Sequence, residues 1–159
     1  MWQNLFHRFA KQKKIVKVTH QGVLRAAQIN AMDLDEAKRR VMEILCHGHE
    51  LVSAQESSTR IDDELRSLLP GALAEILDQY FSITIGEYDT VSRKEIRRDS
   101  EDTSIVVIGG DPQIGLWGIK FGRGEVVYGN DFELPGWKPR FTSVLHWFII
   151  TLDEYEEIS

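Results

Sequence analysis

The stretch from Ile105 to Tyr128 constrains this chain more than any other, because its pattern leaves room for paired strands and little else. Ile105-Val106-Val107-Ile108 is an unbroken β-branched run, the composition of a central strand covered on both faces. Gly109, Gly110, Asp111 and Pro112 break the run. Trp117, Ile119 and Phe121 then alternate with Gly118 and Lys120 in the period-two pattern of a half-buried strand. Gly122-Arg123-Gly124 can turn the chain sharply and return it through Val126, Val127 and Tyr128 as a hairpin.

Helical signals flank this β region. Asp33 is a natural N-cap, with Asp35 and Glu36 where a helix N-terminus favours negative charge, and Leu34, Ala37, Val41, Leu45 and Val52 fall near one stripe. The spacing predicts a helix over residues 33 to 52. Thr59 and Asp62 approximate a capping box before Ile61, Leu65, Leu68 and Leu69, and Pro70 ends that helix while being suited to open another through Leu73, Ile76, Leu77 and Tyr80. Ile83, Ile85, Tyr88 and Val91 read as extended, and residues 92 to 103, rich in both charges, as a solvated loop. Pro135 and Pro139 bracket a loop carrying Trp137. Thr142 or Ser143 can cap a terminal helix that places Leu145, Phe148, Ile149 and Leu152 on one face. Helices, then a meander, then a helix imply an α+β class: an antiparallel meander sheet packed with helices, including an N-terminal helical portion and a C-terminal amphipathic helix.

Charge divides the chain. The first 32 residues carry six positive charges and no acid, with Trp2, Leu5, Phe6 and Phe9 at helical spacing and a possible hairpin over residues 15 to 31. They form a basic N-terminal extension, set apart from a domain over residues 33 to 159. That domain keeps 13 basic and 25 acidic residues, a net charge of −12. Such a body repels nucleic acid and attracts a basic partner. At 159 residues one core suffices without disulfide or metal, and Cys46, the sole cysteine, excludes an intramolecular disulfide and fits a reducing compartment. The N-terminus lacks the apolar region of a signal peptide, and the apolar stretch from Trp147 to Leu152 falls far short of the roughly 20 residues that span a bilayer. A cytoplasmic location follows as the expectation.

Several residues invite chemistry. His47, His49 and Glu50 suggest a metal-dependent enzyme, yet residues two apart on a helix diverge, so a frayed helix end near Gly48 is the plainer reading. Cys46 beside His47 suggests a nucleophile and base, but neighbours on a helix do not face each other, and a buried structural cysteine is expected. Gly109-Gly110-Asp111-Pro112 lacks the lysine and spacing of a phosphate loop and reads as a turn. No catalytic, cofactor or metal site is assigned. The basic N-terminus could serve a peripheral membrane or nucleic-acid adaptor, the plainer alternative being that it packs on the acidic body. Trp117, Tyr128 and Trp137 could line a recognition surface with Asp111, Asp131 and Glu133 as an acidic rim, or serve as core and loop-pinning residues.

Leu69-Pro70 followed by Leu73, Ile76, Leu77, Tyr80 and Phe81 leads into an extended polar stretch. Ile105 to Gly110, Leu116 to Phe121, Val126-Val127-Tyr128 with Asp131, and an aromatic helix at Ser143 to Trp147 follow. This order resembles the SUKH superfamily, which includes Smi/Knr-type proteins and many bacterial immunity proteins, over about residues 60 to 155. The resemblance implies a six-stranded or similar α+β scaffold that acts by binding, often by capping a toxin's active site. It implies no cofactor, a protein partner such as a basic toxin domain, and contacts from Asp111, Asp131 and Glu133, to which the aromatic reading adds Trp117 and Trp137.

Overall fold

The computed structural model describes residues 32–111, 113–130 and 134–158; the helix and hairpin expected within residues 1 to 31 lie outside them. Helix α1 (Leu34–His47) starts where the Asp33 carboxylate accepts the Asp35 N–H at 3.1 Å, and it buries Ala37, Val41 and Leu45. It stops five residues before the expected end. Gly48 takes a φ of +84°, open to glycine at little cost, and donates its N–H to the Ile44 carbonyl at 2.8 Å. The chain reverses, and Val52, expected on the helix stripe, opens strand β1 (Val52–Glu56).

Helix α2 (Asp63–Leu68) is capped by Asp62, whose carboxylate accepts the Leu65 N–H at 2.7 Å, rather than by Thr59. Thr59 instead offers its carbonyl to Arg93 at 2.6 Å. Pro70 opens helix α3 (Gly71–Gln79) as expected, its carbonyl accepting the Ala74 N–H. The two helices are joined by Asp78, whose carboxylate accepts Arg66 at 2.6 Å, Arg60 at 3.3 Å and the Ile61 N–H at 3.1 Å. The Arg66 hydrogen bond is the main reason the Asp78 carboxyl is held down to about 2. With the folded-state value depressed, the stabilisation is present above the usual carboxylate range and is lost as the pH falls through about 2. Asp78→Asn is therefore expected to melt below wild type at neutral pH and to converge on it near pH 2; a gap independent of pH would contradict this assignment.

The remaining strands are β2 (Tyr80–Ile85), β3 (Asp89–Ser92), β4 (Arg97–Arg98), β5 (Ile105–Asp111), β6 (Gly115–Lys120), β7 (Val126–Asn130) and β8 (Leu134–Phe141). They form one antiparallel sheet in the order β1-β2-β3-β5-β6-β7-β8, with the short β4 also pairing β5. The β-branched run lies at its centre, as its composition requires. Two segments expected as loops are partly strand. Residues 92 to 103 hold a 3₁₀ turn (Arg93–Glu95) and β4, and the Trp137 segment is β8. β5 also continues through its glycines to Asp111, Gly109 and Gly110 pairing with Trp117 and Leu116 and Ile108 being the extra residue of a bulge between Val107 and Gly109.

Helix α4 (Val144–Ile158) begins at Ser143, whose hydroxyl accepts the His146 N–H at 3.2 Å. Every residue from Val144 to Leu152 is buried, a wider face than the four-residue stripe expected. The helix packs on α1, α3, β2 and β8, so the helices cover one face of the sheet. Paired positions share a face. Val52, Ala54, Ile83, Ile85, Val91, Trp117 and Tyr128 point to the helices. The opposite face is polar across β1 to β3, with Ser53, Gln55, Ser82, Thr84 and Thr90, and apolar from β5 onward, with Ile105, Val107, Val127 and Trp137. No helix among the described residues is long and apolar enough to cross a membrane.

Candidate functional site

Trp117 lies inside the core at 5% exposure, with Tyr128, Phe141 and Trp147 rings at 4.8, 5.7 and 5.9 Å. Its indole N–H donates to Asp89 at 2.8 Å, and Asp89 is completely buried. A buried carboxylate is costly unless hydrogen-bonded, so this bond ties the far end of β3 to the middle of β6. In this position Trp117 presents no surface to a partner and acts as an internal anchor. Nothing in the sequence marked Asp89, because an acid in the run Glu87-Tyr88-Asp89-Thr90 reads as solvent-facing.

Asp111 ends β5 and builds the next turn, its carboxylate accepting the Gln113 N–H at 2.8 Å and its carbonyl the Ile114 N–H at 3.1 Å. Trp137 pairs with Gly129, and its ring lies against Gly129 and Gly118, both too close to accept a Cβ without adjustment. The indole N–H donates to Asp99 at 3.1 Å. Both residues are half-buried and sit near one end of the sheet, in adjacent rows of the register Gly110–Leu116–Gly129–Trp137. Asp131 and Glu133 lie outside the described residues. Of the expected acidic rim only Asp111 is described, and it and Trp137 are each engaged in local structure.

The histidine pair is spoken for. His47 Nδ1 lies 3.1 Å from the Glu43 carbonyl, while His49 Nδ1 accepts the Leu51 N–H at 3.0 Å, leaving Nε2–H to donate to Glu156 at 2.8 Å. Among the described residues no group of three or more His, Cys, Asp or Glu side chains is placed to hold a metal ion. Cys46, expected to be buried, is exposed: it lies one residue beyond Leu45 and off the Ala37–Val41–Leu45 stripe. His146, which the sequence reading passed over, is 2% exposed. Its Nδ1 lies 2.9 and 2.7 Å from the Thr142 and Ser143 hydroxyls, and its Nε2 donates to the Met32 carbonyl at 2.9 Å, locking the entry to α1 onto α4.

Two surface grooves are formed among the described residues. One, of about 340 Å³, lies between Pro70 and the Phe121–Gly124 turn. The larger, of about 440 Å³, runs between the end of α1 and β1 and is lined by Ile44, Leu45, Gly48, His49, Val52, Ala54, Glu56 and Tyr80. It flanks an edge of the sheet. Searched against family models, curated proteins and solved structures, the chain finds no match in any of the three.

Proposed function

We propose that this domain works by binding another protein, as the SUKH resemblance implies, and that its partner is a basic toxin domain neutralised in the cytoplasm without catalysis. The observation that carries the reading is the charge split: the domain over residues 33 to 159 bears 13 basic against 25 acidic residues. A toxin that acts on nucleic acid needs a basic cleft, and an acidic surface both accelerates and selects encounter with it. The chemistry available elsewhere is modest, since His47 and His49 are engaged by the Glu43 carbonyl and by Glu156.

The reading predicts a toxin gene beside this one, and the test is calorimetric titration of the domain with the toxin domain which that gene encodes, at low and high salt. A complex that weakens at least about tenfold between about 0.05 and 0.5 M salt is expected, because exposed charges are screened over that range. Absence of a complex at low salt would overturn the proposal.

A further inference from the structure

We infer that the partner is gripped by strand addition: a basic, extended segment of the partner protein pairs with the outer edge of β1, which no strand covers among the described residues, and lays its side chains into the groove between β1 and α1. The inference rests on the protein-binding reading above and specifies where and how that binding occurs.

The two edges of the sheet differ. β8 contains Pro135 and Pro139, which lack the N–H that an added strand would need, a common protection of sheet edges. β1 runs Val52-Ser53-Ala54-Gln55-Glu56 with no proline and no lysine. Its inner hydrogen bonds belong to the odd-numbered residues: the Leu51 carbonyl accepts the Gly86 N–H, and the Ser57 N–H donates to the Gln79 carbonyl, both on the β2 side. By the alternation of an antiparallel ladder, the N–H and C=O of Ala54 then point away from β2, together with the N–H of Glu56, while Val52 is already bridged to His49 on that side.

Those same three residues carry the groove wall. Val52, Ala54 and Glu56 share the helix-side face, and Ala54 at the centre is small, leaving space in front of Ile44, Leu45 and Tyr80. Two carboxylates stand by it: Glu56 lines the groove, and Glu156 is held at 2.8 Å by His49, which also lines it. In a strand, side chains two apart share a face. The complementary segment therefore carries an apolar residue opposite Ala54, flanked two positions away on each side by Lys or Arg. A second copy of this chain fits less well, since it would bring another acidic body against the same edge.

The test uses a phage-displayed library of random 12-residue peptides selected on the full chain, with Ala54→Pro as the discriminating variant. Ala54 offers an outward N–H, so proline removes the docking donor without removing a β2 hydrogen bond, and its melting curve should match wild type. Enrichment of basic-x-apolar-x-basic peptides that lose at least about tenfold in affinity to Ala54→Pro is the expected result, about 1.4 kcal/mol or more. Glu56→Lys supplies the same readout should the proline variant fail to fold, with the basic peptides again losing affinity. Enriched peptides that bind all three proteins equally, or that lack the alternation, would overturn the edge assignment while leaving toxin binding intact. No enrichment would also overturn it. Self-association of the wild type abolished by Ala54→Pro would assign the edge to a second copy instead. The titration with the toxin domain is independent of these outcomes, so failure of the edge and failure of the binding reading are separable.

Discussion

Replacing Trp117 with alanine is expected to cost about 4 kcal/mol of folding stability, within the range measured for buried large aromatics. The ring is 5% exposed and is packed by Tyr128, Phe141 and Trp147, so deletion leaves a cavity bounded by three rigid rings that cannot close over it. Trp117→Phe separates the two parts of the effect. It retains much of the packing but removes the N–H that reaches buried Asp89 at 2.8 Å, and about 2 kcal/mol of loss is expected for a hydrogen bond to a buried carboxylate. Urea unfolding of both variants measures this. A loss below about 1 kcal/mol for Trp117→Ala would mean that the indole is not the anchor described above.

The second large effect is expected at Gly109. A Cβ there would overlap the Thr90 carbonyl oxygen and stand 2.7 Å from its carbon and 3.0 Å from the Val91 Cα. These are backbone atoms of β3 and cannot swing aside as a side chain would. The pairing of β3 with β5 runs through Val91 opposite Gly109, so relief requires prising the sheet apart at its centre. Gly109→Ala should therefore lose at least about 3 kcal/mol, the upper end for overpacking. Gly122→Ala is the control: its φ is +80° but nothing lies within 4 Å of the added methyl, so only the backbone penalty of about 1 kcal/mol is expected. Equal losses at the two sites would contradict the close approach of β3 and β5.

These two residues also mark the boundary of what sequence could reveal. The Ile105–Ile108 run, the turn at Gly122-Arg123-Gly124 and the capping at Asp33, Pro70 and Ser143 were legible because each follows from local periodicity or backbone chemistry. Gly109 read as a breaker because glycine usually is one; that it sits inside a strand is dictated by β3, which is remote in sequence. Asp89 and His146 were invisible for the same reason, their burial depending on Trp117 and Met32 rather than on neighbours along the chain. The extra length assigned to α1 arose because Val52 satisfies a helical stripe and a strand equally well, and only the positive φ of Gly48 decides between them. Of the expected contact residues, Trp117 was identified as important by its type, but residue type alone does not separate a core anchor from an exposed hot spot.

Inhibition by occupancy is the proposal, and it rests on the acidic charge of residues 33 to 159 and on the β1 edge, which no strand covers among the described residues. Stoichiometry tests that directly: activity of the predicted toxin partner, titrated with increasing amounts of this protein. Inhibition that rises in proportion to added protein and is complete at about one equivalent is predicted for tight binding without turnover. Loss of toxin activity at a small fraction of an equivalent would reveal catalysis, and full activity in the presence of excess protein would mean that the toxin is not its partner.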